Sequence, residues 1–266
     1  MARSKTATCL FRTTDYYRRE DFCAGLRRHG FDVTDRHVRH PSPDDVLLIW
    51  NRNRNTDDTA IRYQSAGARV LVAENGYIGQ PQGGGKFYAL ALDHHNGAGR
   101  WFVGPEPRFQ VQEKPWRSSG GHILLLPQRG IGAHGVRMPI GWLADVKRRL
   151  ARITDRPIKI RLHPGHKKTD PLDDLLNCHA AVTWGSGAGI KALAHGYPVF
   201  HDFDRWIGRS AARRLEGSID SCHEGDRSEL WRRVTWAQWA LSEIASGEAF
   251  DRLLHADHRH LLRADQ

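Results

Sequence analysis

His163 follows an alternating apolar segment in the stretch IKIRLHPGHKK, residues 158–168, and precedes Pro164 and a run of positive charge. A histidine beside cations suits a phosphate or a departing diphosphate, because cations and N–H donors stabilise the negative charge that develops on a leaving group. Arg161 adds a guanidinium to the same turn. Taken alone, the His-Pro pair favours the simpler interpretation of a polar strand end with an exposed basic turn.

A Gly-rich turn that could bind an anion occurs in TWGSGAGIKAL, residues 183–193. The amides that open a helix form an anion site, and Ser186 offers a hydroxyl to a phosphate. Gly187 and Gly189 permit a ligand to approach the backbone closely. The spacing matches neither the G-x-G-x-x-G of dinucleotide sites nor the G-x-S-x-G of a nucleophile elbow. The alternative is that the glycines only allow a strand and a helix to pack closely.

Short apolar strands alternate with amphipathic helices in two blocks, which is typical of a doubly wound, mostly parallel α/β sheet. The intervening region 80–121 is rich in Gly, Pro and aromatic residues, so we expect long loops and a linker there. The sequence predicts two Rossmann-like lobes with parallel sheets and a cleft between them, 1–120 and 121–266, the second including a helical tail from 228. Ligands of such sheets bind at the carboxyl ends of strands, where both stretches fall. The predicted strands are 7–11, 44–51, 69–79, 122–128, 157–164, 179–184 and 197–202, and the predicted helices are 16–31, 56–68, 139–153, 170–178 and 187–196.

The formal charge of the 266 residues is +10. A basic excess of this size favours polyanionic partners such as nucleic acid, nucleotide phosphates, an anionic glycan or a membrane surface, and does not choose among them. The four cysteines include no C-x-x-C pair, so a reducing cytoplasm is the simplest location. No apolar run approaches the roughly 20 residues that span a bilayer, and no signal peptide is evident, so membrane insertion and export are not expected.

The order and spacing of these motifs resemble the C-terminal nucleotide-binding lobe of a group of GT-B glycosyltransferases. The group includes bacterial sialyl- and polysialyltransferases and capsule-polysaccharide transferases. His163, Pro164, Ser186 and the segment 192–199 match it. The resemblance implies a GT-B-like fold whose second lobe holds the donor nucleotide and its phosphates. The family's Ser/Thr motif often has two hydroxyl residues in a row, whereas Gly187 follows Ser186 here, which leaves the donor nucleotide open.

The same resemblance draws attention to AENGYIG, residues 73–79. Several of these transferases carry an acidic motif at a strand end of the N-terminal lobe, and its first acid is the general base. Glu74 matches that acid, while Asn75 replaces the second one. A carboxylate that takes the proton of an acceptor hydroxyl makes this hydroxyl a competent nucleophile. The alternative is a strand-end glutamate before an Asn-Gly turn.

Acceptor binding is predicted for the first lobe, where arginines are frequent. Asn51, Arg52 and Arg54 follow a buried strand, and such a cluster could grip an anionic acceptor, either an acidic glycan or DNA. Some phage glycosyltransferases modify hydroxylated bases in DNA, so both acceptors stay open. An ordinary polar loop also explains the cluster. Arg129, at a strand end of the second lobe, could reach a donor phosphate or form a salt bridge across the cleft.

These interpretations together predict a metal-independent glycosyltransferase with no cofactor beyond its nucleotide-sugar co-substrate. Glu74 would deprotonate the acceptor, and His163 would contact or protonate the leaving phosphate. A non-catalytic nucleic-acid-binding protein is the alternative, and a glycan-binding role on a degenerate transferase scaffold is a third hypothesis. The run DHHNG, residues 93–97, is interpreted as a donor-sugar or acceptor loop or, more simply, as surface. The histidines of HADHRH, residues 255–260, are interpreted as a solvated helix end.

Overall fold

The chain folds into two α/β lobes, as the sequence predicted. In the computed structural model, the described residues are 4–95, 97–163, 169–220, 225–255 and 261–263. They form two sheets, one of eight strands and one of five, with helices packed against them.

The first sheet starts with parallel strands joined by helices. These elements are β1 (Thr6–Cys9), α1 (Arg19–Arg28), β2 (Asp32–Thr34), β3 (Val46–Trp50), α2 (Arg54–Ser65) and β4 (Arg69–Asn75). The strand order is β2-β1-β3-β4, and the apolar residues of β3 are almost all buried, as expected of a central parallel strand. Asn53 caps α2, since its side chain accepts a hydrogen bond from the Asn55 amide.

Region 80–121 contains two strands that the sequence did not predict. β5 (Tyr88–Leu92) pairs antiparallel with β4, and β6 (Arg100–Phe102) pairs antiparallel with β5. The first sheet is therefore mixed rather than parallel. The alternation in β5 covers only five residues beside a glycine run, so its signal was short. Residues 103–121 do form a linker. It runs along the surface of the second lobe, where the Lys114 amide donates a hydrogen bond to the Ala194 carbonyl.

The second sheet is entirely parallel. Its elements are β7 (His122–Leu126), α3 (Trp142–Leu150), β8 (Ile158–Ile160), α4 (Pro171–Leu175), β9 (Cys178–Thr183), α5 (Gly187–Ala194), β10 (Val199–His201) and β11 (Arg213–Arg214). The strand order is β11-β10-β9-β7-β8. β7, β8, β10 and all three helices lie within the segments predicted from hydrophobic periodicity, and β9 starts one residue before its predicted segment. β11 was not predicted.

The C-terminal tail returns to the first lobe. It contains α6 (Ser228–Trp236), β12 (Gln238–Trp239), α7 (Leu241–Ser246), α8 (Glu248–Leu254) and β13 (Leu261–Arg263). β12 pairs with β5, β13 pairs with β6, and α7 approaches α1 so closely that a Cβ on Gly25 would lie 2.0 Å from the Ile244 carbonyl oxygen. The predicted grouping of all of 121–266 into the second lobe is thus wrong for the tail, because hydrophobic spacing does not reveal which surface a helix covers.

The two lobes share one apolar core. Leu48 of β3, Leu124 of β7, Ile190 of α5 and Trp206 are fully buried or nearly so in a single cluster. At the junction, Gly97 lies so close to Ile207 that a Cβ would be 2.4 Å from its backbone nitrogen. This contact holds the loop after β5 against the second lobe. Among the described residues, no helix has the length and apolar character needed to cross a membrane.

Candidate active site in the cleft between the lobes

A cavity of about 360 Å³ lies between the lobes, at the carboxyl ends of the parallel strands of both sheets. This is the position that open α/β sheets use for ligands. Glu74, His163 and Ser186 all line it, although they come from three different strand ends. The lining residues are Asn51, Glu74, Asn75, Gly76, Tyr77, His95, Pro127, Gln128, Arg129, Ile131, Arg161, His163, Thr169, Pro171, Ser186, Gly187, Ala188 and Lys191.

Glu74 is the only carboxylate in the described cavity wall. It is half-buried near the end of β4, and its Oε1 accepts a hydrogen bond of 2.7 Å from the hydroxyl of Tyr77. Burial, and then the neighbouring Glu74 carboxylate, raise the pKa of Tyr77 well above its ordinary value, so the phenol stays protonated and stays a donor. The carboxylate is therefore held in one orientation.

The Glu74 turn is anchored by the tail of the chain. Gln238 of β12 is fully buried, and its Oε1 accepts hydrogen bonds from the amides of Tyr77, at 2.6 Å, and Ile78, at 3.1 Å. Its Nε2 donates to the Ile78 carbonyl at 2.6 Å. One side chain thus fixes the backbone that follows the candidate base. Nothing in the sequence around Gln238 indicated this role.

A cation lies beside Glu74 on the first lobe. The Asn75 side chain exchanges hydrogen bonds with the Tyr16 hydroxyl, and its Oδ1 also accepts from Nζ of Lys86 at 3.0 Å. The Lys86 ammonium lies 4.0 Å from the centre of the half-exposed Tyr16 ring. Lys86 and Tyr16 do not themselves line the cavity, but Asn75, to which both are bonded, does. Both residues were missed, because they lie far apart in sequence and neither belongs to a motif.

Surface was the simpler interpretation of His95, but the residue is buried in the cavity wall. Its Nδ1 accepts a hydrogen bond of 3.1 Å from the Arg52 amide, so the proton of the neutral ring is on Nε2. Burial lowers the pKa of His95, while Glu74 and a backbone hydrogen bond at Ile131 oppose that change. The neutral ring therefore bridges the loop after β3 and the loop after β7. Asn51, on the same wall, adopts a left-handed backbone with φ of 55°.

On the second lobe, the Ser/Gly turn is held by hydrogen bonds. The Thr183 hydroxyl donates to the Leu126 carbonyl and accepts from the Ser186 amide at 2.8 Å. Ser186 caps α5, since its Oγ accepts from the Ala188 amide at 3.2 Å. Gln128 donates to the Gly185 carbonyl at 3.0 Å and ties the loop after β7 to the turn. These hydrogen bonds thus hold the start of α5 in place where it faces the cavity.

Cations line the second-lobe wall. Arg129 is exposed, Lys191 of α5 is half-buried, and no hydrogen bond or ion pair to another described residue engages either charged group. His163 is mostly exposed, and the partial burial of its ring, then the charges of Arg129 and Arg161, lower its pKa. Lys191 was not predicted as a site residue, although it lies one helical turn after Gly187 and so on the same face of α5. Positive charge and helix amides together form an anion site.

Arg161 lines the cavity, but its guanidinium is bound mainly by other side chains and by the backbone. Its guanidinium forms an ion pair with Asp174 and donates hydrogen bonds to the carbonyl, at 2.7 Å, and hydroxyl, at 2.8 Å, of Thr169. It connects the end of β8 to the start of α4. Arg161 therefore supports the His163 turn. Pro164, which was predicted to contact the nucleotide, lies outside the described residues.

Two of the residues predicted to bind the acceptor lie elsewhere. Arg52 is 4% exposed, and its guanidinium binds Asp57, Gln64 and the Asp93 carbonyl at 2.6 to 3.0 Å. It holds α2 against the loop after β5 and does not line the cavity. Arg54 is exposed on α2 and is also absent from the cavity wall.

Gly189 was predicted to approach a phosphate, and the structure differs. A Cβ there would lie 2.8 Å from the Trp206 ring, and its amide donates to the Ser186 carbonyl at 3.0 Å. Gly189 thus permits close packing between α5 and Trp206. Gly187 does line the cavity, and a Cβ on it would meet no atom within 4 Å.

Carboxylates that could hold a metal in the cleft are scarce. The run Asp202-Phe203-Asp204 has the D-x-D spacing of metal-binding pairs in some nucleotide-sugar enzymes, which the prediction of metal-independent transfer overlooked. Asp202 is bound by Trp142 and Arg149, Asp204 pairs with Arg214, and neither lines the cavity. Among the described residues, the cavity wall has no group of three His, Cys, Asp or Glu close enough to share an ion. Metal independence stays a prediction.

Comparison with known proteins shows the fold. No protein-family model matches the sequence, and no curated protein matches it. Two solved structures of KpsC from Thermosulfurimonas dismutans, described as a beta Kdo 2,7 transferase and a beta Kdo 2,4 transferase, are similar to the chain with TM-scores of 0.51 and 0.52. Each is 13% identical to the chain. Each alignment covers 88% of this chain and, respectively, 89% and 91% of the KpsC chain. The chain therefore has the GT-B-like fold of two lobes.

Proposed function

We propose that the protein is a glycosyltransferase that moves a sugar from a nucleotide-sugar donor to a hydroxyl of an anionic glycan. The observation that carries this proposal is that a carboxylate and an anion site face each other across one cavity. Glu74 lies on the first-lobe wall, and Arg129, Lys191 and the start of α5 lie on the second-lobe wall. A base that faces an anion site is the arrangement that transfer from a phosphate leaving group requires. The KpsC structures, described as Kdo transferases, support it through their fold.

The donor binds to the second lobe. Its phosphate lies against the Ser186 hydroxyl and the Gly187 amide, with the charges of Lys191 and Arg129 around it. As the bond between the anomeric carbon and the phosphate oxygen breaks, the electron pair stays on that oxygen, and these groups stabilise the new charge. His163 contacts this phosphate and can give it a proton.

The acceptor binds to the first lobe. Its hydroxyl oxygen forms the new bond to the anomeric carbon, and its proton passes to Glu74, which Tyr77 holds in place. Because attack and departure occur on opposite faces of the sugar in one displacement, we expect inversion at the anomeric carbon.

The acceptor is anionic, and Lys86 recognises its charge. Lys86, rather than Arg52 and Arg54 as the sequence suggested, binds the anionic group of the acceptor. Its ammonium donates a hydrogen bond to Asn75 of the cavity wall and lies over the Tyr16 ring. An aromatic face beside a cation suits a carboxylated sugar. A hydroxylated base in DNA is not favoured, because Arg52 is bound by Asp57, Gln64 and the Asp93 carbonyl and Arg54 does not line the cavity.

The proposal is tested by transfer assays with Glu74→Gln and His163→Ala. We expect Glu74→Gln to lower kcat by roughly 10²- to 10⁴-fold while nucleotide binding stays unchanged. Glu106→Gln is the matched control, because Glu106 is an exposed carboxylate outside the cavity. If folded Glu74→Gln and His163→Ala variants both keep full transfer activity, the proposed mechanism fails.

A further inference from the structure

We propose that the protein binds a divalent transition metal ion, zinc being the best fit, through His29, Asp251 and His255. One ring nitrogen of each histidine and one carboxylate oxygen of Asp251 lie within 4.8 Å of one another. Within the described part of the chain, this is the one group of three such side chains close enough to share an ion. Two imidazoles and a carboxylate, with a fourth position for water, form a typical zinc ligand set.

The backbone places the three ligands on converging helix ends. Asp251 and His255 are four residues apart at the end of α8, so they project from the same side of that helix. His29 is the C-terminal cap of α1, directly after Arg28. Because helix carboxyl ends carry partial negative charge, a cation between two of them is favoured.

A hydrogen bond at Nε2 of His29 leaves Nδ1 as the ring nitrogen that can bind a metal. Its Nε2 lies 2.8 Å from the Gly247 carbonyl, which can only accept, so Nε2 carries the proton and Nδ1 keeps a free lone pair. Metal-binding histidines nearly always donate their other N–H to such a carbonyl or carboxylate. Gly247 has φ of 91°, and a Cβ there would lie 3.0 Å from Nε2 of His29. The glycine therefore permits this approach.

The ligands have room to close around an ion. Tetrahedral zinc with bonds of about 2.0 Å needs ligand atoms roughly 3.4 Å apart. Asp251 and His255 are exposed, and no hydrogen bond or ion pair to a described residue engages the Asp251 carboxylate, so small rotations suffice. Lys5 and Arg69 act electrostatically on His255 and oppose a cation, so we expect weaker affinity than the same ligand set would have without these charges.

The site is structural and separate from the cleft. His29 caps the end of α1 and β2 starts at Asp32, which places the cluster at the amino ends of the parallel strands. The cleft lies at the opposite, carboxyl ends. An ion there would link α8 to α1 and hold the tail, which also carries Gln238, against the first lobe. Metal binding would then contribute directly to the stability of the fold.

Calorimetric titration of the untagged, EDTA-dialysed full chain with ZnCl₂ tests the proposal. We expect one ion per chain, and at least tenfold weaker binding in Asp251→Asn and His255→Ala. His37→Ala is the control, because His37 is an exposed histidine remote from the cluster. Asp251→Asn keeps the size of the side chain and so keeps the fold. Zinc should also raise Tm of the parent chain and of His37→Ala by several degrees, but not that of Asp251→Asn.

Two outcomes would overturn the assignment. One is the absence of saturable zinc binding by the parent chain. The other is an isotherm that Asp251→Asn and His255→Ala leave unchanged, which would mean that zinc binds elsewhere.

Discussion

The hydroxyl of Tyr77 donates a hydrogen bond of 2.7 Å to Oε1 of Glu74, three residues earlier in the chain. Gln238, from the far end of the sequence, holds the Tyr77 amide. The candidate base is therefore positioned by a turn that the C-terminal tail supports.

Removing this hydrogen bond should slow the reaction without weakening donor binding. In Tyr77→Phe the ring still fills its buried place, but the Glu74 carboxylate is no longer held. We expect kcat to fall by roughly tenfold, while KM for the nucleotide-sugar stays unchanged, because misplacement of a reacting group costs rate rather than ground-state binding. Steady-state kinetics on both variants, Tyr77→Phe and Tyr17→Phe, checks this, since Tyr17 does not line the cavity. An equal rise of KM and fall of kcat/KM at constant kcat would contradict the positioning role.

The two glycines of α5 should respond differently to alanine. Gly187→Ala adds a methyl group in open space beside the cavity, so we expect unchanged Tm and about tenfold weaker nucleotide binding. Gly189→Ala drives a methyl group against Trp206, and overpacking of this kind costs roughly 1 to 3 kcal/mol of unfolding free energy. Thermal unfolding and nucleotide titration of both variants separate the two roles. The reverse pattern would show that Gly189, and not Gly187, approaches the ligand.

Replacement of Arg52 and of Arg54 by alanine should change the unfolding free energy by very different amounts. Arg52→Ala leaves Asp57, Gln64 and the Asp93 carbonyl without their partner, and loss of a buried ion-pair member typically costs roughly 3 to 5 kcal/mol. Arg54→Ala removes an exposed side chain and should change unfolding free energy by less than about 0.5 kcal/mol. Urea denaturation measures both. A stable Arg52→Ala variant with a raised KM for the acceptor would restore the binding role that the sequence suggested.

Buried histidines should make the protein less stable in acid. Burial lowers the pKa of His201 to about 4, and its Nδ1 donates to the Phe203 carbonyl. The unfolded chain takes up this proton near pH 6.5 and the folded protein only near pH 4, so unfolding becomes easier as the pH falls between these values. The loss is on the order of 3 kcal/mol for this group.

His201→Asn tests this assignment, because the amide can still donate to Phe203 but does not titrate. Its unfolding free energy should fall less steeply with pH between 6.5 and 4 than that of the parent chain. Parallel slopes for the two proteins would mean that other groups cause the acid sensitivity.

The sequence predicted elements whose signal is local. The periodic runs of β7, α3, β9 and α5 are long enough to be recognised, and the ends of parallel strands brought Glu74, His163 and Ser186 to one cavity. Their chemical roles stay predictions.

Contacts between distant residues could not be predicted in this way. Arg52 is a cation before a helix in the sequence, and only the fold shows that Asp57, Gln64 and Asp93 surround it. His95 looked like a surface residue because nothing in its neighbourhood indicates that the loop after β5 is wedged between the lobes. The support of Tyr77 by Gln238 spans 161 residues of chain, which no spacing rule covers.

In the proposed function, the second-lobe wall holds a nucleotide phosphate. A thermal-shift screen against CMP, UMP, CDP, UDP, GDP and ADP tests it most directly, because a ligand that binds only the folded protein raises Tm by mass action. We predict a rise with one nucleotide that is lost in Lys191→Ala and His163→Ala and kept in Lys147→Ala, an exposed lysine on α3. No shift with any nucleotide, together with DNA binding that weakens steeply with salt, would contradict the claim and favour a nucleic-acid-binding protein.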